Sequence, residues 1–220
     1  MLPPPNRKIA VPGPHERHED LPSVPEEKSR QQILTNCKLR TDGANDGDTV
    51  TVLTRSGEYR FSLYFVDVPD FSRGGIQQMQ AYSAYFGNLS EQDLRTVAKE
   101  AQSYIASVLG HHSFDVVTRW ERAPEESPDP QVITSRAFVY CEGRQGEMVN
   151  LASLLVDRGL ATVCNAAEML PDEMTSQAYL AYLQKLEQAA IANKRGAWKF
   201  SQGVAMTSSQ QVMPVKYQTR

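Results

Sequence analysis

The sequence predicts an α+β fold, mainly a partly open five-stranded β-barrel, with about three α-helices packed against it. Three observations predict this class: short β-type segments follow one another in the first half, a long amphipathic helix then interrupts them, and strands and helices alternate afterwards. A doubly wound parallel sheet needs a helix between nearly all of its strands. The order here, β-β-β-α-β-β-α-β-α, therefore favours the barrel.

The first half contains three predicted strands that meander. We expect them at residues 33–39, 49–54 and 59–66, and the segment Arg55-Ser-Gly-Glu58 is typical of a hairpin turn between the second and the third. A helical stretch begins near Gly75.

The longest predicted helix runs from Glu91 to Leu109. Ser90 precedes it as a candidate N-cap, because a serine side chain can accept a hydrogen bond from the first turn of a helix. Apolar residues recur at helical spacing and predict one stripe that faces the core: Leu94, Val97, Ala98, Ala101, Ile105 and Val108.

Strand character returns at residues 114–120 and 136–142. The segment between them, 122–130, contains prolines and charges that exclude a central strand, so it is predicted to be a loop.

The last third of the domain contains two predicted helices. Asn150 is placed to cap a short helix over 151–158, with Gly159 at its end and a strand at 161–163. A final helix over 172–193 carries one apolar stripe and is followed by a break at Gly196 and by Trp198 as a core residue. The stripe consists of Tyr179, Leu183, Leu186 and Ala190.

Two terminal segments are predicted to lie outside the folded domain, which spans 31–200. Seven of the 13 prolines fall between Pro3 and Pro25, a composition typical of a disordered segment over 1–30. Residues 201–220 are rich in Ser, Gln and Thr without helical or strand periodicity, which indicates a flexible tail.

Composition excludes several classes of protein. No apolar run approaches the roughly 18 residues that span a bilayer, and the N-terminus lacks the apolar stretch of a signal peptide. We therefore expect a cytoplasmic protein, or an exported one if a leader was trimmed. Cys37, Cys141 and Cys164 lack C-x-x-C spacing and are predicted to be buried thiols rather than zinc ligands or a disulfide framework.

The net charge limits the way in which a nucleic acid could bind. The chain carries a formal charge of −3, so it has no overall basic field for tight, sequence-independent binding of a duplex. A local positive pocket remains compatible with this charge.

Two acidic segments stand where predicted strands begin or end. Asp46-Gly-Asp48 leads into the second strand, and Asp67-Val-Pro-Asp70 follows the apolar end of the third. Each segment by itself is explained as well by an ordinary turn at the barrel rim. Together they can supply carboxylates, a backbone carbonyl and room for water, which are the oxygen ligands that calcium prefers.

Seven short segments follow one another along the chain: Asp46-Gly-Asp-Thr-Val50, Tyr64-Phe-Val-Asp-Val-Pro-Asp70, Tyr85-Phe-Gly87, Arg136-Ala-Phe-Val-Tyr140, Met148-Val-Asn150, Arg158-Gly-Leu-Ala161 and Gly196-Ala-Trp198. Their sequences and their order resemble those of the staphylococcal nuclease (thermonuclease) family, over about residues 34–200.

The resemblance implies an OB-fold-like barrel and a calcium-dependent hydrolase that cleaves phosphodiester bonds of DNA or RNA. It implies that Asp48 and Asp67 bind Ca²⁺ through carboxylates and Val68 through its carbonyl, that Asp70 assists the attacking water, and that Arg136 stabilises charge on the phosphoryl group. The products implied are 3′-phosphates and 5′-hydroxyls. We expect a single-stranded nucleic acid as the partner, and a monomer.

Two departures from the family's pattern fall at positions implied to be catalytic. Ser62 stands where the family has its other arginine. Arg60 lies two residues earlier on the same strand face, roughly 6–7 Å away, and is equally well interpreted as a replacement or as a solvated strand charge. Asp70 is one methylene shorter than the family's glutamate.

Two further departures weaken binding of nucleic acid. Ile133, Thr134 and Asn165 replace basic and aromatic residues, which lowers the capacity to stack bases. The predicted loop before Arg136 also carries negative charge at Glu125, Glu126 and Asp129. The alternative to a nuclease of reduced activity is a non-catalytic module of the same family that binds nucleic acid or protein. The retained acids favour the enzyme.

Overall fold

The computed structural model describes residues 31–41, 45–71, 76–123, 133–143, 145–164, 170–171 and 174–202. These residues contain eight strands, four α-helices and one 3-10 turn. In chain order they are β1 Gln32–Leu39, β2 Thr49–Thr54, β3 Gly57–Leu63, β4 Val66–Asp67, α1 Ile76–Tyr85, α2 Glu91–Leu109, β5 Phe114–Arg122, β6 Thr134–Glu142, β7 Met148–Asn150, α3 Leu151–Asp157, β8 Thr162–Val163, α4 Ser176–Ala192 and the turn Gly196–Phe200.

The barrel consists of β1, β2, β3, β6 and β5. Antiparallel pairing joins β3 to β2, β2 to β1, β1 to β5 and β5 to β6, and a parallel pairing between β3 and β6 closes the circle. The predicted α+β fold with a five-stranded barrel and packed helices is confirmed, but the barrel is closed rather than partly open, and the described residues contain four helices rather than about three. Closure leaves β3 hydrogen-bonded on both sides, so its residues lie next to those of β2 and β6.

The third strand ends earlier than predicted, at Leu63 instead of residue 66. Phe65 has φ 69°, a left-handed backbone that interrupts an extended strand. The chain then pairs again, with Val66 opposite Val163 and Asp67 opposite Thr162 of β8. Asp67 therefore belongs to a second, two-stranded sheet, and Thr162 Oγ1 donates to its main-chain oxygen at 3.0 Å.

The predicted helix caps are confirmed at two positions. Ser90 accepts a hydrogen bond from the Asp93 N–H, and Asn150 accepts one from the Ala152 N–H. The last helix begins at Ser176 behind an N-cap that sequence patterns did not predict, Thr175; residues 172 and 173 of the predicted helix lie outside the described residues.

The helices bury their apolar stripes in the core, with α2 and α3 against barrel strands and α4 against α3. Leu94, Val97, Ala101 and Ile105 of α2 are buried as predicted. On α4, Glu187 is buried whereas the neighbouring Leu186 is only partly covered, so the predicted stripe is displaced by one residue there.

The 3-10 turn closes the core behind α3. Trp198 is buried against Phe86 and Tyr85, which confirms it as a core residue. Gly159 permits this closure because it has φ 68° and a Cβ there would lie 2.4 Å from the Arg195 carbonyl oxygen.

Two sequence predictions, on the cysteines and on membrane-spanning helices, can be compared with the described residues. All three cysteines are buried free thiols, as expected. Within the described part of the chain, no helix has the length and apolarity to cross a membrane. The segments 1–30 and 203–220 and residues 124–130 of the predicted loop lie outside the described residues.

Candidate functional site

Two acid-bearing turns meet at one end of the barrel, and we refer to them as the acidic turns: residues 46–48 before β2 and residues 67–70 from β4 onward. Gly47 sits directly on the Val68 side chain, because a Cβ on Gly47 would lie 2.1 Å from Val68 Cγ1. Only glycine permits this approach without movement. The contact brings the segments of Asp48 and Asp67 together although they are far apart in the sequence.

The residues implied as metal ligands are all buried. Asp48 is 1% exposed and Asp67 is 0% exposed, and Val68 between the acids of the second turn is also buried. The Leu63 N–H donates to the Asp48 main-chain oxygen at 2.9 Å, and Thr49 Oγ1 donates to Asp48 Oδ1 at 3.3 Å. The side chain of Asp48 is thus held where β2 and β3 begin to pair.

Tyr82 of α1 contacts the second acidic turn through its hydroxyl group. Its hydroxyl donates to the Val68 carbonyl oxygen at 3.1 Å and receives a hydrogen bond from Gln78 at 3.2 Å. Burial raises the pKa of Tyr82 well above its usual value, and the charges of Asp67 and Asp48 raise it further. A carbonyl oxygen has two lone pairs, so Val68 can still accept a second partner.

Arg60 is buried and directed at the first acidic turn. Its Nη2 lies 3.0 Å from Asp46 Oδ2, and the Arg60 side chain is only 4% exposed. The interpretation of Arg60 as a solvated strand charge is therefore wrong. Its replacement of the arginine absent at Ser62 stays a prediction.

Asp46 is electrostatically linked to the whole cluster. Burial raises its pKa to about 7, and the neighbouring charges of Asp48 and Asp70 act in the same direction, while Arg60 opposes them. Desolvation and two like charges therefore outweigh one guanidinium. Asp70, which is partly exposed, lies close enough to contribute to this effect.

Arg136 lies in register with Thr49, the residue that follows the first acidic turn. Ser62 of β3 pairs with Thr49 of β2 on one side and with Arg136 of β6 on the other. At about 4.8 Å per strand, the Cα atoms of Thr49 and Arg136 are about 10 Å apart, a distance that a phosphate can bridge together with the arginine side chain. The Arg136 guanidinium lies 5.8 Å from the centre of the Tyr64 ring.

The donor chemistry of the acidic turns suits a hard cation, although the set of ligands is incomplete. Asp46 Oδ1 is buried and has no hydrogen-bond partner in the described residues. Asp48, Asp67 and the Val68 carbonyl are oxygen donors of the kind that Ca²⁺ takes. No three His, Cys, Asp or Glu side chains of the described residues converge closely enough to hold an ion by themselves.

The other departures noted in the sequence fall partly outside this site. Thr134 is buried and pairs with Arg60 across β3 and β6, whereas Ile133 is exposed. Asn165 and the acids at 125, 126 and 129 lie outside the described residues.

Sequence patterns missed two contacts of the site. Tyr82 was not identified from the sequence as part of the site, because helical spacing does not indicate that its hydroxyl contacts the Val68 carbonyl. The pairing of Asp46 with Arg60 was also not predicted, because no local sequence pattern joins the two residues.

No protein-family model matches this chain, and no curated protein matches it either.

Proposed function

We propose that this protein is a calcium-dependent nuclease of the staphylococcal nuclease family that hydrolyses phosphodiester bonds of DNA or RNA. The observation that carries the proposal is the contact of Gly47 with Val68, which joins two buried acidic turns beside a strand that presents Arg136. Acids that repel one another, with the pKa of Asp46 raised to about 7, make a site that gains from a cation.

Each residue of the site has a separate role in the proposed reaction. Asp48, Asp67 and the Val68 carbonyl hold Ca²⁺, and Tyr82 positions that carbonyl through its hydroxyl. When bound, the ion acts as a Lewis acid on a phosphate oxygen. Asp70 orients water and accepts its proton, and Arg136 binds the phosphoryl oxygens as negative charge develops on them.

A single-stranded substrate and a monomeric protein complete the proposal. A chain with a net charge of −3 is poorly suited to binding long duplexes through many phosphates, whereas one phosphate at Arg136 requires only a local charge.

A non-catalytic module that binds nucleic acid or protein is the second candidate. It is favoured by a specific observation: Ser62 occupies the row between Thr49 and Arg136, and the nearest arginine, Arg60, is already paired with Asp46. An enzyme with this arrangement has one guanidinium for the phosphate rather than two.

Digestion of denatured DNA and RNA in Ca²⁺ and in chelator tests the proposal. The parent protein should cleave in Ca²⁺ only, and Asp48→Asn should abolish cleavage. Asp115→Asn is the matched control, because Asp115 lies outside the acidic turns and an asparagine keeps the oxygen that accepts the Asn36 N–H.

The binding module predicts a different pattern in the same samples. It retains labelled single strands in a gel-shift experiment without cutting them, and Asp48→Asn leaves that binding intact. Absence of both cleavage and binding contradicts the nuclease and the module that binds nucleic acid, and leaves the module that binds protein.

A further inference from the structure

The hydrogen-bonded ladder between β5 and β6 is interrupted opposite Arg136. Thr118 pairs with Ala137, and the next pair along the ladder is Arg122 with Ser135. Three residues of β5 therefore stand opposite Arg136 alone. Extra residues in one strand form a β-bulge, which changes the direction of side chains and is frequent beside active sites.

The backbone of this bulge is strained and is tied to Arg136. Trp120, in the middle of the bulge, has φ 61°, a left-handed conformation that is rare for a bulky side chain. Its N–H donates to Thr118 Oγ1 at 2.9 Å, and the Thr118 hydroxyl donates to the Arg136 carbonyl oxygen at 2.7 Å. Thr118 thereby fixes the main chain of Arg136, and strained backbone of this kind clusters at functional sites.

The next residue of the bulge reaches the side chain of Arg136 through a tyrosine. Glu121 Oε2 accepts a hydrogen bond from the Tyr64 hydroxyl at 2.8 Å, and the Arg136 guanidinium lies 5.8 Å from the centre of the Tyr64 ring. Tyr64 is buried, and its ring packs against that of Phe138 with the ring centres 4.7 Å apart. The ring is therefore held in the core at one end and by Glu121 at its hydroxyl.

A carboxylate is the acceptor that suits this arrangement. A hydrogen bond from a hydroxyl to an ionised carboxylate is about twice as strong as one between neutral groups, so Glu121 restrains the tilt of the Tyr64 ring firmly. A cation is attracted to the face of an aromatic ring when it lies within about 6 Å of the ring centre. At 5.8 Å the Arg136 guanidinium is just within that range, so a small tilt of the ring changes the attraction.

We propose that Glu121 and Tyr64 are positioning residues of Arg136. The hydrogen bond between them holds the ring, and the ring holds the guanidinium in the orientation that receives a phosphate. This inference rests on the proposed function, in which Arg136 stabilises charge on the phosphoryl group. Misplacement of a catalytic group by about 1 Å can cost about 10²-fold in rate, so an indirect contact of this kind has a measurable effect.

The ¹⁵Nε–¹Hε NMR signal of Arg136 tests the positioning without any cleavage, and it is assigned by its loss in Arg136→Lys. In the parent chain its ¹H–¹⁵N heteronuclear NOE should be close to that of the β6 backbone amides, whereas the NOE of exposed Arg55 should be low. Glu121→Ala should lower the Arg136 value to that of Arg55. A value in the parent as low as that of Arg55, or no change in Glu121→Ala, overturns the proposal.

Two further variants separate the hydrogen bond from a general loss of folding. Glu121→Gln keeps an oxygen that accepts the Tyr64 hydroxyl and should keep the Arg136 signal rigid. Tyr64→Phe keeps the buried ring, removes only the hydroxyl and should loosen Arg136 as Glu121→Ala does. A mobile signal in Glu121→Gln or a rigid one in Tyr64→Phe contradicts the proposal. Glu91→Ala removes an exposed acid that pairs with Arg95 on α2, and as the matched control it should leave the Arg136 signal unchanged.

Kinetics connect the positioning to the proposed reaction. On denatured DNA in Ca²⁺, Glu121→Ala should lower kcat about tenfold and leave KM within about twofold, because Arg136 acts on charge that develops in the transition state. Glu121→Gln should restore kcat to within about threefold of the parent. A mobile Arg136 with an unchanged kcat overturns the proposal. If the parent does not cleave at all, the nuclease proposal fails, and the NMR result alone decides whether Glu121 and Tyr64 position Arg136.

Discussion

Carboxylates are buried in two regions of this protein, and they are accommodated differently. The acidic turns bring Asp46, Asp48 and Asp67 together with one arginine, Arg60. On the helical side, a single acid, Glu187 of α4, is 1% exposed and accepts a hydrogen bond from the Tyr85 hydroxyl. We call the second region the Tyr85–Glu187 junction.

At the Tyr85–Glu187 junction, the buried acid has a hydrogen-bond donor that also connects three elements of the fold. Tyr85 donates to Glu187 and at the same time accepts a hydrogen bond from the Val163 N–H at 2.8 Å, so one hydroxyl links α1, α4 and β8. Burial raises the pKa of Glu187, and the Tyr85 hydroxyl partly opposes that shift. One acid with a hydroxyl donor has no like charge to repel it.

In the acidic turns, neighbouring carboxylates repel one another, whereas Glu187 at the junction has no such neighbour. Asp48 and Asp70 both raise the pKa of Asp46, and Arg60 compensates only part of this. Clustered acids cost folding free energy, so we interpret the acidic turns as the proposed binding region and the junction as a packing contact. Four predictions test that difference.

The largest expected effect is on cleavage. Arg136→Ala should lower the calcium-dependent rate on denatured DNA by at least about 10³-fold, or about 4 kcal/mol, because its guanidinium is proposed to stabilise charge on the phosphoryl group. The melting temperature should remain that of the parent. Arg55→Ala, at an exposed turn, is the control; unfolding of the Arg136 variant would make that residue structural.

The next effect is on stability at the acidic turns. Arg60→Ala should lower the free energy of unfolding by about 3–5 kcal/mol, because it leaves Asp46 buried without its countercharge. Urea denaturation measures the loss. The double variant Arg60→Met with Asp46→Asn should recover most of it, and a loss below about 1 kcal/mol in the single variant would mean that the ion pair does not hold the turn.

At the junction, Tyr85→Phe should cost about 3 kcal/mol, because Glu187 loses its donor and the Val163 N–H loses its acceptor. Urea denaturation measures this loss too, and the rate of cleavage by the folded protein should not change. Tyr182→Phe removes a hydroxyl from a half-exposed tyrosine and is the control. A lower rate of cleavage in Tyr85→Phe would contradict the separation of the junction from the acidic turns.

The smallest effect concerns pH. A carboxyl whose pKa is higher in the folded state than in the unfolded state binds its proton more tightly when folded, so stability falls as pH rises between the two values. For Asp46, whose pKa is raised from 3.8 to about 7, this amounts to about 2 kcal/mol between pH 5 and pH 7.

Asp46→Asn should remove that part of the pH dependence. The remaining slope should come from Glu187, whose pKa is raised as well, and Glu187→Gln should reduce it. Unfolding curves at several pH values measure both slopes. An unchanged slope in Asp46→Asn would show that its carboxyl does not titrate in this range.

Much of the fold was predictable because the relevant signals are local. The N-caps Ser90 and Asn150, the apolar stripe of α2 and the β2–β3 hairpin depend on residues within a few positions of one another. The two acidic segments were also visible, since each follows or precedes a strand. Phe65 was not predicted as a strand break, because a phenylalanine carries no local signal for a positive φ.

The sequence by itself thus determined the barrel with its packed helices and the acids of the candidate site. Only the tertiary structure decided how those acids are held: Gly47 seats on Val68, Arg60 pairs with Asp46, and Tyr82 donates to the Val68 carbonyl. These contacts join residues 14 to 21 positions apart, where no periodicity constrains the distance. They follow from the pairing of β2 with β3, which places Arg60 near Asp46, and from the packing of α1 against the turn that contains Val68.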